Sequence, residues 1–479
     1  MVSGQKITAN TSFFMTALVL QKVLSFVYFT ILARALGAEG TGQYFFAISF
    51  AAMFSVLIDL GLSPLLIREV AKDEQNSQKW FQQIFTLKIL FAVLTVLIVS
   101  VLDTVLFYSD PVKNLIYLTT AIIVIDSFTL LFYAFIRGKQ SLKFESWGTI
   151  IFQLIVLVIG LSLIRMTDDV FLLLGVLFVA SLFNMIFSGI ILTRKFKIKI
   201  KFYFSKELAK KILLIALPFA LAAIFAKVYA YIDTFLLKMF LGDEEVGFYS
   251  IAYKITFALQ FIPLAFVASL YPAFANYFKE DYENLKRVFI KSFNYLAFIA
   301  IPVAFGVIAL ADIIVAKLYT SEFSFSVLPL QVLIASIPFL FVNFSLSSFL
   351  NATNRQKINT RNLGIIMVFN IVANIILIPE IGIWGAALAS SLSTLFLFGL
   401  NLFAVLRVIK VAARSFLPIL GSIFSSLIMF FIITYFRDSF SWILMIFVGA
   451  IIYAVLMLLT RSIKLSDLAS IKKSFFKIS

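Results

Sequence analysis

Two lysines, Lys22 and Lys227, stand near the middle of long apolar runs, 205 residues apart. A lysine at the centre of a bilayer costs roughly 2.5–3.5 kcal/mol on insertion scales, so a repeated one is expected to face protein or water. Lys22 lies about ten residues, or roughly 15 Å of helix, from either end of its run, too far to snorkel. The chemistry open to such a pair is electrostatic: two ammonium groups in a poorly screening environment attract an anion. Lys254 is a third candidate, about two turns into its run and on one face with Ser250. Lys88 sits nearer the end of its run and is expected to snorkel, and Arg34 to anchor at an interface.

Three carboxylates, Asp59, Asp126 and Asp233, fall inside apolar runs. Burial favours the protonated acid and a neighbouring lysine favours the charged one. Each could bind a proton or Na⁺, or neutralise a lysine, and both readings stay open. Asp233 is six residues from Lys227, about 240° around a helix, so those two do not share a face. Asn184, Asn343, Asn370, Asn374 and Asn401 are expected to join helices by hydrogen bonds. The chain has no cysteine and no histidine, which removes thiolate chemistry, His-based proton relays and Cys- or His-ligated metals. Nothing resembles a Walker A loop, so direct ATP coupling is not supported. No catalytic residue, metal or cofactor is assigned.

The elements that must hold these residues are membrane helices. Hydrophobic residues make up 62% of 479 positions, charged residues only 13%, and mean hydropathy is +1.05. About 20 apolar residues span a bilayer, and the chain contains fourteen such runs between about 12 and 460. The first run is too long for a signal-peptide core and lacks a small-residue cleavage site, so it reads as helix 1. Basic residues fall before helix 1, after helix 14 and after each even-numbered helix, outnumbering those on the opposite side by about five to one. That bias places both termini in the cytoplasm, in the cell membrane. The net charge of +16 is accordingly read as topology and contact with anionic lipid headgroups, with no nucleic-acid partner. The longest outer segment runs from about 312 to 326, which leaves no room for an outer catalytic domain.

The lysines belong to a longer repeat. Leu36-Gly37, Gly42-Gln43-Tyr44 and Ala47 recur as Leu241-Gly242, Gly247-Phe248-Tyr249 and Ala252, all at an offset of 205. A second match pairs Gly138-Lys139-Gln140 with Asn354-Arg355-Gln356, then Gly148 with Gly364, at an offset of 216. Six helices separate matched positions, so the halves have the same orientation, an arrangement that holds substrate near the midplane. The expected organisation is all-α and polytopic, with two parallel six-helix lobes at 1–193 and 211–406. A basic linker at 194–210, read as an amphipathic segment on the inner surface, joins them, and 407–479 adds helices 13 and 14 and a basic tail. Pro218, Pro263, Pro302 and Pro338 fall inside helices 7 to 10, where they would bend them.

With these features the chain resembles the polysaccharide flippases of the multidrug/oligosaccharidyl-lipid/polysaccharide exporter superfamily. The carrying residues are Leu32-Ala33-Arg34-Ala35-Leu36-Gly37 with Gly42-Gln43-Tyr44, then Asp59-Leu60-Gly61-Leu62 and Arg68-Glu69. Ile378-Pro379, Gly382 and Gly385-Ala386-Ala387 extend the match into the second lobe. The resemblance implies two lobes around a cationic cavity and movement of a lipid-linked sugar across the membrane by alternating access. Its expected partners are a polyprenyl-(pyro)phosphate-linked oligosaccharide, membrane lipids and polysaccharide-assembly proteins. Substrate contact is expected from Lys22, Lys227 and Lys254, and ion coupling or charge pairing from Asp59, Asp126 and Asp233. A multidrug cation antiporter of the same superfamily is the alternative, although it usually needs a net acidic cavity. A membrane-embedded polysaccharide polymerase or ligase is the third reading, disfavoured by the short outer loops.

Overall fold

A computed structural model describes residues 4–106 and 108–463; the basic tail expected after helix 14 lies mostly outside them. Every regular element among the described residues is a helix. Twelve helices are long and apolar enough to cross a membrane, or thirteen if one bent pair counts as a single span. The first element, α1 (Gly4–Asp59), carries both of the first two apolar runs without an intervening loop. It turns at Gly37, whose φ of 66° and ψ of −173° lie in a region open essentially to glycine alone. The bent pair is α11 (Val327–Ala335) and α12 (Ile337–Ala352), broken at Ser336.

The chain divides into two compact units, 1–247 and 248–479. In the first unit α1 is followed by α2 (Leu62–Lys72), α3 (Ser77–Leu106), α4 (Asp110–Gly138), α5 (Lys143–Ile164), α6 (Val170–Ile190), α7 (Lys206–Phe240) and the start of α8 (Asp243–Leu259). Leu60 and Gly61 both have positive φ and make the corner between α1 and α2. A Cβ at Gly61 would press on Phe219 of α7, so the Asp59-Leu60-Gly61-Leu62 motif is a corner that also admits a neighbouring helix. Around it Leu65, Leu66, Phe81, Ile84, Phe132, Phe135, Ile212 and Ala216 form a continuous apolar core.

Within the linker 194–210, expected as amphipathic, residues 196–205 form an irregular strap across α3. Gln78 and Gln82 donate to the Lys199 carbonyl, while the Lys199, Tyr203 and Ser205 amides donate to Gln78, Thr86 and Gln83. Lys197 sits in the left-handed region, and of the strap's apolar residues Ile198 is buried while Ile200, Phe202 and Phe204 are exposed with the lysines.

The second unit contains most of α8, then α9 (Phe261–Glu280), α10 (Tyr282–Leu318), α11, α12, α13 (Gln356–Ile381), α14 (Ile383–Leu406), α15 (Leu417–Phe436) and α16 (Trp442–Leu459). Pro302 lies inside α10 as expected, as Pro218 does inside α7. Pro263 and Pro338 do not lie in helix interiors: they open α9 and α12 just after the breaks at Gln260 and Ser336. At the start of a helix the missing amide of proline costs no hydrogen bond, so these two mark new helices.

Local geometry repeats along the chain where sequence identity does not. Asp73 before α3 and Asp281 before α10 make the same cap, each accepting from the backbone amide and the side-chain amide of an asparagine three residues on, Asn76 or Asn284. Those hydrogen bonds hold both carboxyls below the usual carboxylate range. The turns after α4 and α12 also match: Ser141 and Arg355 each donate back five residues, past Gln140 and Asn354 in the left-handed region. These left-handed residues are 214 apart, two fewer than the offset read from the sequence.

Candidate functional site

The first unit carries a half-open cavity of about 440 Å³ beside the second half of α1, with residues of α4, α5, α6 and α7 also lining it. Its polar lining includes Asp59, Thr119, Asp126, Ser127, Ser181 and Lys227. Three of the residues singled out by sequence therefore meet here: Lys227 from α7, Asp126 from α4 and Asp59 from the end of α1. The apolar remainder, with Ile122, Leu130, Phe152 and Leu177 among it, keeps the dielectric low around them.

Asp59 is tied into a closed knot. Lys88 of α3 reaches it at 2.7 Å and also donates to the Ser127 carbonyl at 2.8 Å, the Ser127 hydroxyl at 3.0 Å and Ser63 at 3.3 Å. Ser63 donates to Asp59 in turn. The Lys88 side chain is 0% exposed, so the expectation that it snorkels to the membrane surface is wrong. The cause is helix length: Ser77–Gln82 reads as loop, yet it forms the first turns of α3 and sets Lys88 three turns deep. The knot joins α1, α2, α3 and α4 and satisfies a buried ammonium with four oxygens, as a low-dielectric interior requires.

Lys227 is placed differently. Among the described residues no carboxylate lies within ion-pair distance of it; its ammonium stands 5.5 Å from the Tyr231 ring centroid, a cation–π contact. The side chain of Lys22 is exposed and that of Lys227 half-buried. Asp126, also exposed, opens onto the cavity near Ser181. With Asp59 paired to Lys88, the other charged residues among the described lining are Lys227 and Asp126.

The remaining expected residues are not gathered here. Asp233 of α7 is 2% exposed and accepts from the Thr234 amide at 2.8 Å, outside the cavity lining. Lys254 belongs to α8 in the second unit, half-buried one turn after the fully buried Ser250. Ser63, Ser127 and Ser181 were not expected at all. Serine inside an apolar run is too common to stand out, and only hydrogen bonding to Lys88 or a place in the cavity lining distinguishes these three.

The asparagines make a network of their own in the second unit. Asn401 of α14 donates to Asn343 of α12 at 2.8 Å and accepts from Asn362 of α13 at 2.9 Å, and Asn370 donates to Ser393 at 3.1 Å. In the first unit Asn184 accepts from Tyr133 at 2.6 Å.

Comparison with known proteins places this arrangement. The chain is 21% identical over 391 residues to the capsular polysaccharide biosynthesis protein CapF of Staphylococcus aureus, covering 80% of this chain and 95% of CapF. It is 27% identical over 166 residues to a Haloferax volcanii protein named "Probable low-salt glycan biosynthesis flippase Agl15", covering 34% of this chain and 35% of Agl15. The match to a protein of the same organism named "Probable flippase AglR" likewise spans only 35% of that protein. Among solved structures, the lipid II flippase MurJ in an inward closed conformation superposes with a TM-score of 0.74 at 19% identity, over 92% of this chain and 97% of MurJ. An inward-facing multidrug-resistance transporter of the MATE family gives a TM-score of 0.66 at 14% identity, over 81% of this chain and 96% of its own. These likenesses establish the polytopic helical fold of membrane transporters. The MatE family profile matches residues 218–376. The profile described as polysaccharide biosynthesis protein matches residues 7–278, more than half of the sequence, and the chain belongs to that family, within the multidrug/oligosaccharidyl-lipid/polysaccharide exporter superfamily.

Proposed function

We propose that the protein moves a polyprenyl-(pyro)phosphate-linked oligosaccharide from the cytoplasmic to the outer leaflet for cell-surface polysaccharide biosynthesis. The observation that carries this reading is Lys227 in the wall of a mainly apolar cavity, with Lys22 matching it 205 residues earlier on α1. Their mutual repulsion favours hydration when no ligand is present. An anionic headgroup between them offsets that repulsion, which links binding to a change of state. Lys254 is a further substrate contact in the same reading. Asp126 serves as the ion-coupling carboxylate, while Asp59 and Asp233 act in charge pairing.

The organisation that goes with this function is two parallel six-helix lobes, 1–193 and 211–406, with the linker 194–210 and helices 13 and 14 outside the duplication. Both termini are cytoplasmic, in the cell membrane, and transport proceeds by alternating access without catalysis. Membrane lipids and polysaccharide-assembly proteins are the partners. One observation favours the cation-antiporter reading: Asp126 opens onto the cavity, where it could meet an organic cation.

Complementation of a flippase-deficient strain tests both. The wild-type chain is expected to restore polysaccharide export, and the Lys22→Gln, Lys227→Gln double variant to lose it while still inserting in the membrane. Full export by the double variant would overturn the cationic site. Resistance to organic cations, lost in Asp126→Asn, would favour the antiporter.

A further inference from the structure

Pro302 stands inside α10, and its ring nitrogen carries no hydrogen. In an α-helix that hydrogen would go to the carbonyl four residues back, which here belongs to Phe298. Phe298 is buried, and a carbonyl left open inside an apolar bundle is costly unless a neighbouring helix supplies a donor.

The donor comes from α16. Tyr453 gives its hydroxyl hydrogen to the Phe298 carbonyl at 2.8 Å. A phenol has only one hydrogen, so in the 2.8 Å contact between Tyr453 and Ser422 of α15 the serine is the donor. Two helices thus converge on the carbonyl that the proline leaves open. The pairing is particular to α10. Among the described residues no side chain donates to the Leu214 or Ile375 carbonyl, which Pro218 leaves open in α7 and Pro379 in α13.

The same face of α10 is fastened to the helix pair on both sides of the gap. Ahead of it, Asn294 donates to the Ser415 carbonyl just before α15, at 3.0 Å. Beyond it, Phe305 meets Phe430 of α15 edge-on, with ring centroids 6.1 Å apart. Farther along, Arg437 at the end of α15 donates to the Ala309 carbonyl and to Asp312, each at 3.2 Å. Positions 294, 298, 305, 309 and 312 follow the spacing of one helix face. Gly449, one turn before Tyr453, lets α16 close on α15, since a Cβ there would press on Ile433.

We propose that α15 and α16 are a splint on α10, in which Tyr453 supplies the hydrogen that Pro302 lacks and keeps α10 continuous through its proline. A proline gap is a place where a helix kinks; with the donor in place, α10 moves as one piece. Tyr453 is a positioning residue, acting through α10. The splint does not depend on the transport reading, and it gives the last two helices a task within their own unit.

The test is a double-mutant cycle on the purified full-length protein in detergent, read by SDS unfolding and by amide hydrogen exchange. Tyr453→Phe keeps the ring and removes only the hydroxyl. It should lower the folded-to-unfolded ratio about three- to fivefold, and speed exchange most between Phe298 and Gly306. Pro302→Ala restores the amide at 302, so the Phe298 carbonyl is paired within α10. In that background Tyr453→Phe should change the ratio by less than about twofold. Equal losses in the two backgrounds would show that Tyr453 acts by packing alone and would overturn the splint. If Pro302→Ala does not fold, exchange in Tyr453→Phe decides. Acceleration concentrated around Pro302 supports the splint, and none there overturns it.

Discussion

The two units solve the same problem, polar groups inside an apolar bundle, with different side chains. The first buries charge: Lys88 against Asp59, with Asp126 and Lys227 opening onto the adjoining cavity. The second buries amides: Asn343, Asn362, Asn370 and Asn401 bridge α12, α13 and α14. An amide carries no net charge, so burying it costs far less than burying an ion, and its partners need only complete hydrogen bonds. A charge must be matched or put to use. The difference teaches which interior polar groups are scaffold and which are not. Within the first unit the same test separates the closed Lys88 knot from the open Lys227 region.

The largest expected effect breaks the knot. Lys88→Met strands Asp59, and losing one partner of a buried pair should cost about 3 kcal/mol, at the low end of the usual range because Asp59 retains some exposure. Thermal unfolding in detergent would show it, and adding Asp59→Asn should recover much of the loss. If the single variant is as stable as wild type, the knot is not what holds the corner between α1 and α2.

Next is the open region. Lys227→Gln should lower export about tenfold, equivalent to about 1.4 kcal/mol of lost stabilisation, with little change in melting temperature. Lys227→Arg should keep part of the activity. An unfolding shift as large as that of Lys88→Met would show Lys227 to be scaffold, and the contrast between the two lysines would fail.

The amide network sharpens the comparison from the other side. Asn401→Leu removes the hydrogen bonds to Asn343 and Asn362 and should cost about 1 kcal/mol, near the modest worth of interhelical hydrogen bonds in membranes. Export should stay within about twofold. A transport defect without a stability change would move the asparagines into the functional class.

The smallest effect concerns what the units share. Asp73→Ala and Asp281→Ala should lower the melting temperature slightly and by similar amounts, since each removes the same cap. Both carboxyls are held below their ordinary range, so the caps contribute above the unfolded pKa of about 3.9 and fade as pH falls through the folded value. The difference from wild type should therefore shrink in acid.

The helical class and most spans were legible because hydropathy and charge placement act over twenty residues at a time. Gly37 and Gly242 were legible as a repeat and turn out to share positive φ, the conformation that makes glycine necessary. The fate of Lys88 was not legible: the first turns of α3 are polar, and nothing local shows that the lysine meets Asp59 from another helix. The same limit hid the Asp73 and Asp281 caps, whose neighbours differ although their geometry agrees. Of the charged candidates read from sequence, Asp59, Asp126 and Lys227 line one cavity. Which of them share a cavity depends on helix packing, which periodicity does not encode.

One contact in the first unit has a meaning of another kind. A Cβ at Gly42 would strike the carbonyl of Asp243, and a Cβ at Gly247 would strike the carbonyl of Ala38. Both pairs are related by the same step, 243 from 38 and 247 from 42, so each partner does to the other what is done to it. Reciprocity of that sort belongs to an isologous interface between identical subunits. Had the chain descended from a half-length ancestor, this crossing would have been a homodimer contact made twice about one axis. In such a dimer one mutation altered both sides at once. In a single chain the two glycines answer to separate codons, so a side chain gained at either one would push its own pair of backbones apart and leave the other pair as it is.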